Sequence, residues 1–93
     1  MAILKKWIKQ PAEKQDYDIG FAAWLAALSD TAASFVVTVE TGITLVSSAM
    51  ADGVVKVWLS GGTNGTKYKV TATITTTAGR VKEDEILIDV VES

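Results

Sequence analysis

Residues 66–76 read Thr66-Lys67-Tyr68-Lys69-Val70-Thr71-Ala72-Thr73-Ile74-Thr75-Thr76, and their alternation decides the fold. Tyr68, Val70, Ala72 and Ile74 fall on one face of an extended chain, and Lys67, Lys69, Thr71, Thr73 and Thr75 on the other. Sustained alternation with β-branched residues is the pattern of a strand with one face on a core and one in water. Such half-wet strands belong to antiparallel sheets. The outer threonines suit a pleated surface and need no functional explanation.

Outward from this strand the pattern repeats. Ala78-Gly79 turns the chain, and Val81–Val91 forms a second strand with Ile86, Ile88 and Val90 inward. Its outward Glu85 and Asp89 are expected to lie opposite Lys67 and Lys69. On the other side, Val54–Ser60 puts Val55, Val57 and Leu59 on one face and Lys56 and Trp58 on the other. Asp52-Gly53 before it is a hairpin turn signal that joins it to a strand at Ile43–Ser48. Ser34–Glu40 is a further strand, and Asp16-Tyr17-Asp18-Ile19 alternates like a short one. Phe21, Trp24, Leu25 and Leu28 have helical spacing, so a short helix is expected near 22–28, with Trp24 on its core stripe. Short strands with frequent turn signals predict an all-β protein, an antiparallel sandwich of the immunoglobulin or fibronectin type III kind with about seven strands. Tyr68, just after a loop at the start of the penultimate strand, fits a tyrosine corner whose hydroxyl ties back to nearby backbone. The alternative is an ordinary half-buried strand tyrosine.

The 93 residues suffice for one small domain. We expect an N-terminal arm over residues 1–11, ended by Pro11, and a single sandwich domain over residues 12–93. The arm carries Ile3, Leu4, Trp7 and Ile8 among its lysines. It either adds an edge strand to its own sheet or docks on a neighbouring subunit by strand addition. From the sequence, a chain lacking Met1–Gln10 is expected to stay folded and to assemble less well with its partner; loss of cooperative thermal unfolding would make the arm part of the core instead. The longest apolar stretch, Ile19–Leu28, is far short of the ~20 residues of a membrane-spanning helix. No signal peptide is read at the N-terminus.

Composition restricts the chemistry. The chain has no cysteine and no histidine. Disulfides, thiolate metal sites, a cysteine nucleophile and the usual general base are therefore excluded. The net charge of −2 argues against nucleic acid as a partner. Asp16 with Asp18, and the run Glu83-Asp84-Glu85, lack the paired environments of acid–base catalysis and the spacing of a calcium loop. The serines have no histidine, and no Ser-x-x-Lys occurs. Ser60–Gly65 is glycine-rich, but no Lys-Ser/Thr follows, so it reads as a loop between strands and not as a phosphate cradle. No catalytic residue, cofactor site or metal site is assigned. The binding candidates are Ile3, Leu4, Trp7, Ile8 and Trp58, because tryptophan and apolar anchors concentrate at interfaces. Trp58 lies opposite the core face of its strand and is either exposed, and then a binding residue, or capped by the N-terminal segment.

Several stretches carry a resemblance. Lys9-Gln10-Pro11-Ala12-Glu13-Lys14, Asp16-Tyr17-Asp18-Ile19, Phe21 with Trp24-Leu25, the run from Asp52 to Thr71, and Thr75–Arg80 together resemble small tail proteins of long-tailed bacteriophages. These are described as phage fiber–tail adaptor proteins with an immunoglobulin-like fold. The resemblance spans roughly Lys9–Val91, and its most specific part is Val57-Trp58-Leu59-Ser60-Gly61-Gly62-Thr63 through Tyr68. It implies a non-enzymatic virion structural protein, made in the bacterial host cytoplasm and located at the tail or head–tail junction. Its partners would be other virion proteins (tail, connector or fiber), and it would be a homo-oligomer in the particle. The alternative is an immunoglobulin-like adhesion module that binds carbohydrate or a host surface through exposed Trp58 and Tyr17. A small hydrolase is the least supported reading.

Overall fold

The computed structural model describes residues 5–92. Seven strands and one helix follow one another as β1 (Lys5–Lys9), β2 (Gln15–Gly20), α1 (Ala22–Ala27), β3 (Ala32–Val39), β4 (Ile43–Ala51), β5 (Val54–Gly61), β6 (Thr66–Thr76) and β7 (Val81–Val90). They form a four-stranded sheet in the order β1-β7-β6-β3 and a three-stranded sheet in the order β2-β5-β4. The protein is an all-β sandwich. Each pairing is antiparallel except that β1 runs parallel to β7, so the larger sheet is mixed. The N-terminal arm thus adds an edge strand to its own sheet over Lys5–Lys9.

The alternation read from β6 governs the core. Val70, Ala72 and Ile74 of β6 face Val55, Val57 and Leu59 of β5, all fully buried, with Ile86, Ile88 and Val90 of β7 beside them. Full burial of such a side chain is worth about 1.5–3 kcal/mol relative to exposure, so these rows hold the two sheets together. Across the β6–β7 hairpin Lys67 lies opposite Asp89 as expected, although the Asp89 carboxylate contacts Lys6 at 3.5 Å, while Lys69 reaches Glu85 diagonally at 4.0 Å.

The helix has six residues and no side-chain cap, too short to persist alone. Tertiary contacts hold it: Leu25 and the preceding Phe21 are buried, and the Phe21 N–H donates to the Gly53 carbonyl at 2.8 Å. The helix ends at Ala27, so Leu28 leaves the apolar stripe and is exposed. Trp24 is partly buried against the core, with the Lys82 ammonium 5.6 Å from its ring centroid. Asp30 then fastens this corner to the β6–β7 turn. Its carboxylate accepts the Thr31 and Ala78 N–H groups at 2.8 and 3.3 Å and the Arg80 Nη1 at 2.7 Å. The Thr76 hydroxyl first, then Arg80 and the two backbone amides, hold its pKa down at about 2. The folded pKa lies below the unfolded one, so this contribution is present above pH ~4 and is lost as pH falls through about 2.

Tyr17 is buried between the sheets, and its hydroxyl has no hydrogen-bond partner among the described residues. Burial pushes its pKa up to about 12. An unfolded tyrosine ionises near 10, so between pH ~10 and ~12 only the unfolded chain loses the proton and stability falls. Tyr17→Phe is expected to be neutral or stabilising by up to about 1 kcal/mol at pH 8. The advantage of the variant should widen at pH 11. Urea unfolding of both chains at the two pH values checks this, and a destabilised Phe variant would mean that the hydroxyl is satisfied.

Candidate functional site

The sequence candidates occupy three places. Ile3 and Leu4 lie outside the described residues. Trp7 and Ile8 are on β1, and Trp58 is on β5. Along β1, Ile8 is level with outward Asp89 and is 69% exposed on the outer face of the four-stranded sheet. Trp7 is level with inward Ile88 and lies at the mouth between the sheets, its ring 5.8 Å from that of Tyr17 and tilted at 55°. Trp7 remains 40% exposed, so it both covers Tyr17 and presents an edge to solvent.

Trp58 stands on the outer face of the three-stranded sheet, opposite in direction to buried Val57 and Leu59, and is 36% exposed. Strand β1 does not cap it, because β1 is committed to the other sheet. Ile8 and Trp58 therefore face away from each other and cannot belong to one contact patch. Around Trp58 the register places Asp16 of β2 on one side and Ser47 of β4 on the other. A bulge between Leu45 and Ser47 inserts Val46, also exposed, next to that Ser47. Lys56, two residues along the same face, contacts Asp16 at 2.9 Å and Asp18 at 3.2 Å. Hydrogen bonding to these carboxylates raises the Lys56 pKa, and Lys56 lowers that of Asp16. The face is thus an apolar anchor beside an ion cluster of one ammonium and two carboxylates, which keeps a net negative charge, carried on rigid strands.

Tyr17 does not join it. The sequence reading counts Tyr17 with Trp58 as an exposed aromatic pair, but Tyr17 points into the sandwich and is buried. The alternation of Asp16 and Asp18 outward requires this, since the residue between them must face the core.

The glycine-rich loop has a structural duty. The Tyr68 hydroxyl accepts the Thr63 N–H at 2.9 Å, closing the expected corner, and hydrogen bonds from Thr63 lower its pKa. Gly62 and Gly42 lie against the Tyr68 ring from two directions, where a Cβ would come within 3.4 and 2.8 Å of its carbons. The same loop receives β1: the buried Lys9 ammonium donates to the carbonyls of Gly61 at 2.7 Å, Gln10 at 2.8 Å and Pro11 at 3.4 Å. Removal from water lowers the Lys9 pKa. Sequence reading missed Lys9, because a lysine in a basic arm reads as solvated.

It also missed an open groove of about 430 Å³ between α1 and the β4–β5 turn, lined by Leu25, Ala26, Ala32 and Met50 among others. The groove exists only because the helix packs on that turn, which no local pattern announces. Among the described residues no three of His, Cys, Asp and Glu are grouped to hold a metal ion, and no helix is long and apolar enough to cross a membrane.

A family model described as "Podophage GP4 fiber-tail adaptor protein gp77" matches residues 9–89. No curated protein matches the chain. The family match spans most of the chain and every strand from β2 to β6, and the protein belongs to the podophage fiber-tail adaptor family.

Proposed function

We propose that this family member is a non-enzymatic structural module of the virion that joins a tail or connector component to fibers through protein–protein contacts. The observation that carries the reading is the family match over residues 9–89. The geometry supports it in two ways. Exposed apolar side chains sit on strands whose opposite faces are buried, so the contacts are held in fixed positions. Ile8 and Trp58 also project from opposite faces, and a linker needs two separate surfaces. The strand order supports an immunoglobulin-like assignment. Strands β2-β5-β4 and β7-β6-β3 follow the order of strands B-E-D and G-F-C in a constant-type domain, with Tyr68 at the corner position. Many copies in one particle would turn modest contacts into firm ones.

Mass spectrometry and immunogold labelling of purified particles test the role. Label at the tail or neck supports it, and particles free of the chain overturn it. Trp58→Ala is expected to weaken retention of the partner at least about tenfold while moving the unfolding free energy by less than about 1 kcal/mol. Unchanged retention would remove Trp58 from the contact.

A further inference from the structure

The two flanks of the sandwich differ in charge. One flank ends on β1, with exposed Lys6, and on β2, with Asp16 and Asp18. The other ends on β3 and β4, and residues 32–51 along it hold one charged residue, Glu40, whose carboxylate already accepts the Lys69 N–H. Edge strands are ordinarily guarded by charge, proline or bulges. β4 has its bulge at Val46. β3 has its irregularity between Ala32 and Ser34, which leaves Ser34-Phe35-Val36-Val37-Thr38-Val39 regular, uncharged and free of proline.

The backbone of this segment is aimed outward. The Glu40 N–H donates to the Lys69 carbonyl of β6, so by alternation the N–H and C=O groups of Val39, Val37 and Phe35 point away from β6. On the outer face Val36 is 62% exposed, and the row beside β3 is Thr71, Thr73 and Thr75. No charge protects the edge from either side.

We infer that this edge pairs with the same edge of a second copy of the chain, β3 antiparallel to β3, joining two four-stranded sheets into one. Charge decides the occupant. The strand that matches this edge best is, like the edge, regular, uncharged and free of proline. β1, β2, β5, β6 and β7 all carry charges, and β4 is broken by its bulge. A second β3 is neutral, equal in length and self-complementary about a two-fold axis. The inference deepens the proposed adaptor role, on which its setting in a particle rests.

Light scattering and sedimentation of the full chain over a concentration series test the pairing. The wild type is expected to dimerise. Val36→Lys/Thr38→Lys and Val36→Glu/Thr38→Glu chains, with urea midpoints close to wild type, are expected to dimerise at least about tenfold more weakly. Mixing the two double variants should restore the dimer, because lysines then meet glutamates where residues 36 and 38 of the two copies lie opposite one another about the two-fold axis. A wild type monomeric at every concentration, variants that dimerise like wild type, or a mixture without rescue each overturns the inference. A monomer that is nevertheless present in particles overturns the pairing and leaves the adaptor reading standing. A rescued dimer absent from particles does the reverse.

Discussion

Gly62→Ala is expected to destabilise the protein by about 2–4 kcal/mol, among the largest effects of any single methyl group in the chain. Two costs add. Gly62 has φ +98°, a conformation that alanine reaches only with strain. The new Cβ would also stand 2.7 Å from Val90 Cγ2 and 3.4 Å from Tyr68 Cε2. Val90 is fully buried and β-branched, so it has no free rotamer to retreat to. Tyr68 cannot swing aside without giving up the Thr63 N–H. Gly65→Ala separates the two costs. Gly65 has φ +85° but nothing within 4 Å of its Cβ position, so that variant should lose only the conformational part, about 1 kcal/mol. Urea midpoints at unchanged m-value measure both. Equal losses in the two variants would show that the loop relaxes and that the Tyr68 corner does not need a bare backbone at Gly62.

The corner also marks what local sequence can express. Tyr68 was readable because its evidence lies within its own neighbourhood: a loop before it, alternation after it, and a position early in the penultimate strand. The strands β5, β6 and β7 were readable for the same reason, since each carries its own inward row. The features that were not readable depend on distant partners. Nothing in Lys5–Lys9 states that its neighbour is β7 or that the pairing is parallel, because the register comes from a strand more than seventy residues away. Lys9 is polar by type and buried by circumstance, its ammonium finding the Gly61 carbonyl only after the sheets close. The bulge at Val46 leaves no mark in a run of small and apolar residues, yet it sets what lies beside Trp58. Trp58 could be placed on an outer face from its strand, but whether that face was covered depended on where β1 went.

The fate of β1 gives the second large effect. Removing Met1–Gln10 is expected to lower stability by about 3 kcal/mol or more, a large share of the total that a domain of this size has. The truncation exposes the β7 edge, uncovers Tyr17 where Trp7 packs on it, and strips the Gly61 carbonyl of its donor. It also breaks the Val91 N–H bond to the Lys9 carbonyl, at 2.9 Å, which holds the end of the last strand. Lys9→Met in the full chain isolates the ammonium. It keeps the strand and an apolar stem of similar length, and it should cost about 1–2 kcal/mol through the unpaired carbonyls. The truncated chain should therefore unfold well below Lys9→Met, and far below wild type, in a thermal scan. The opposite result has a definite meaning. A truncated chain that keeps the wild-type midpoint and a cooperative transition would show that β1 contributes nothing to its own sheet. The arm, with Trp7 and Ile8, would then be free to add itself to a neighbour by strand addition.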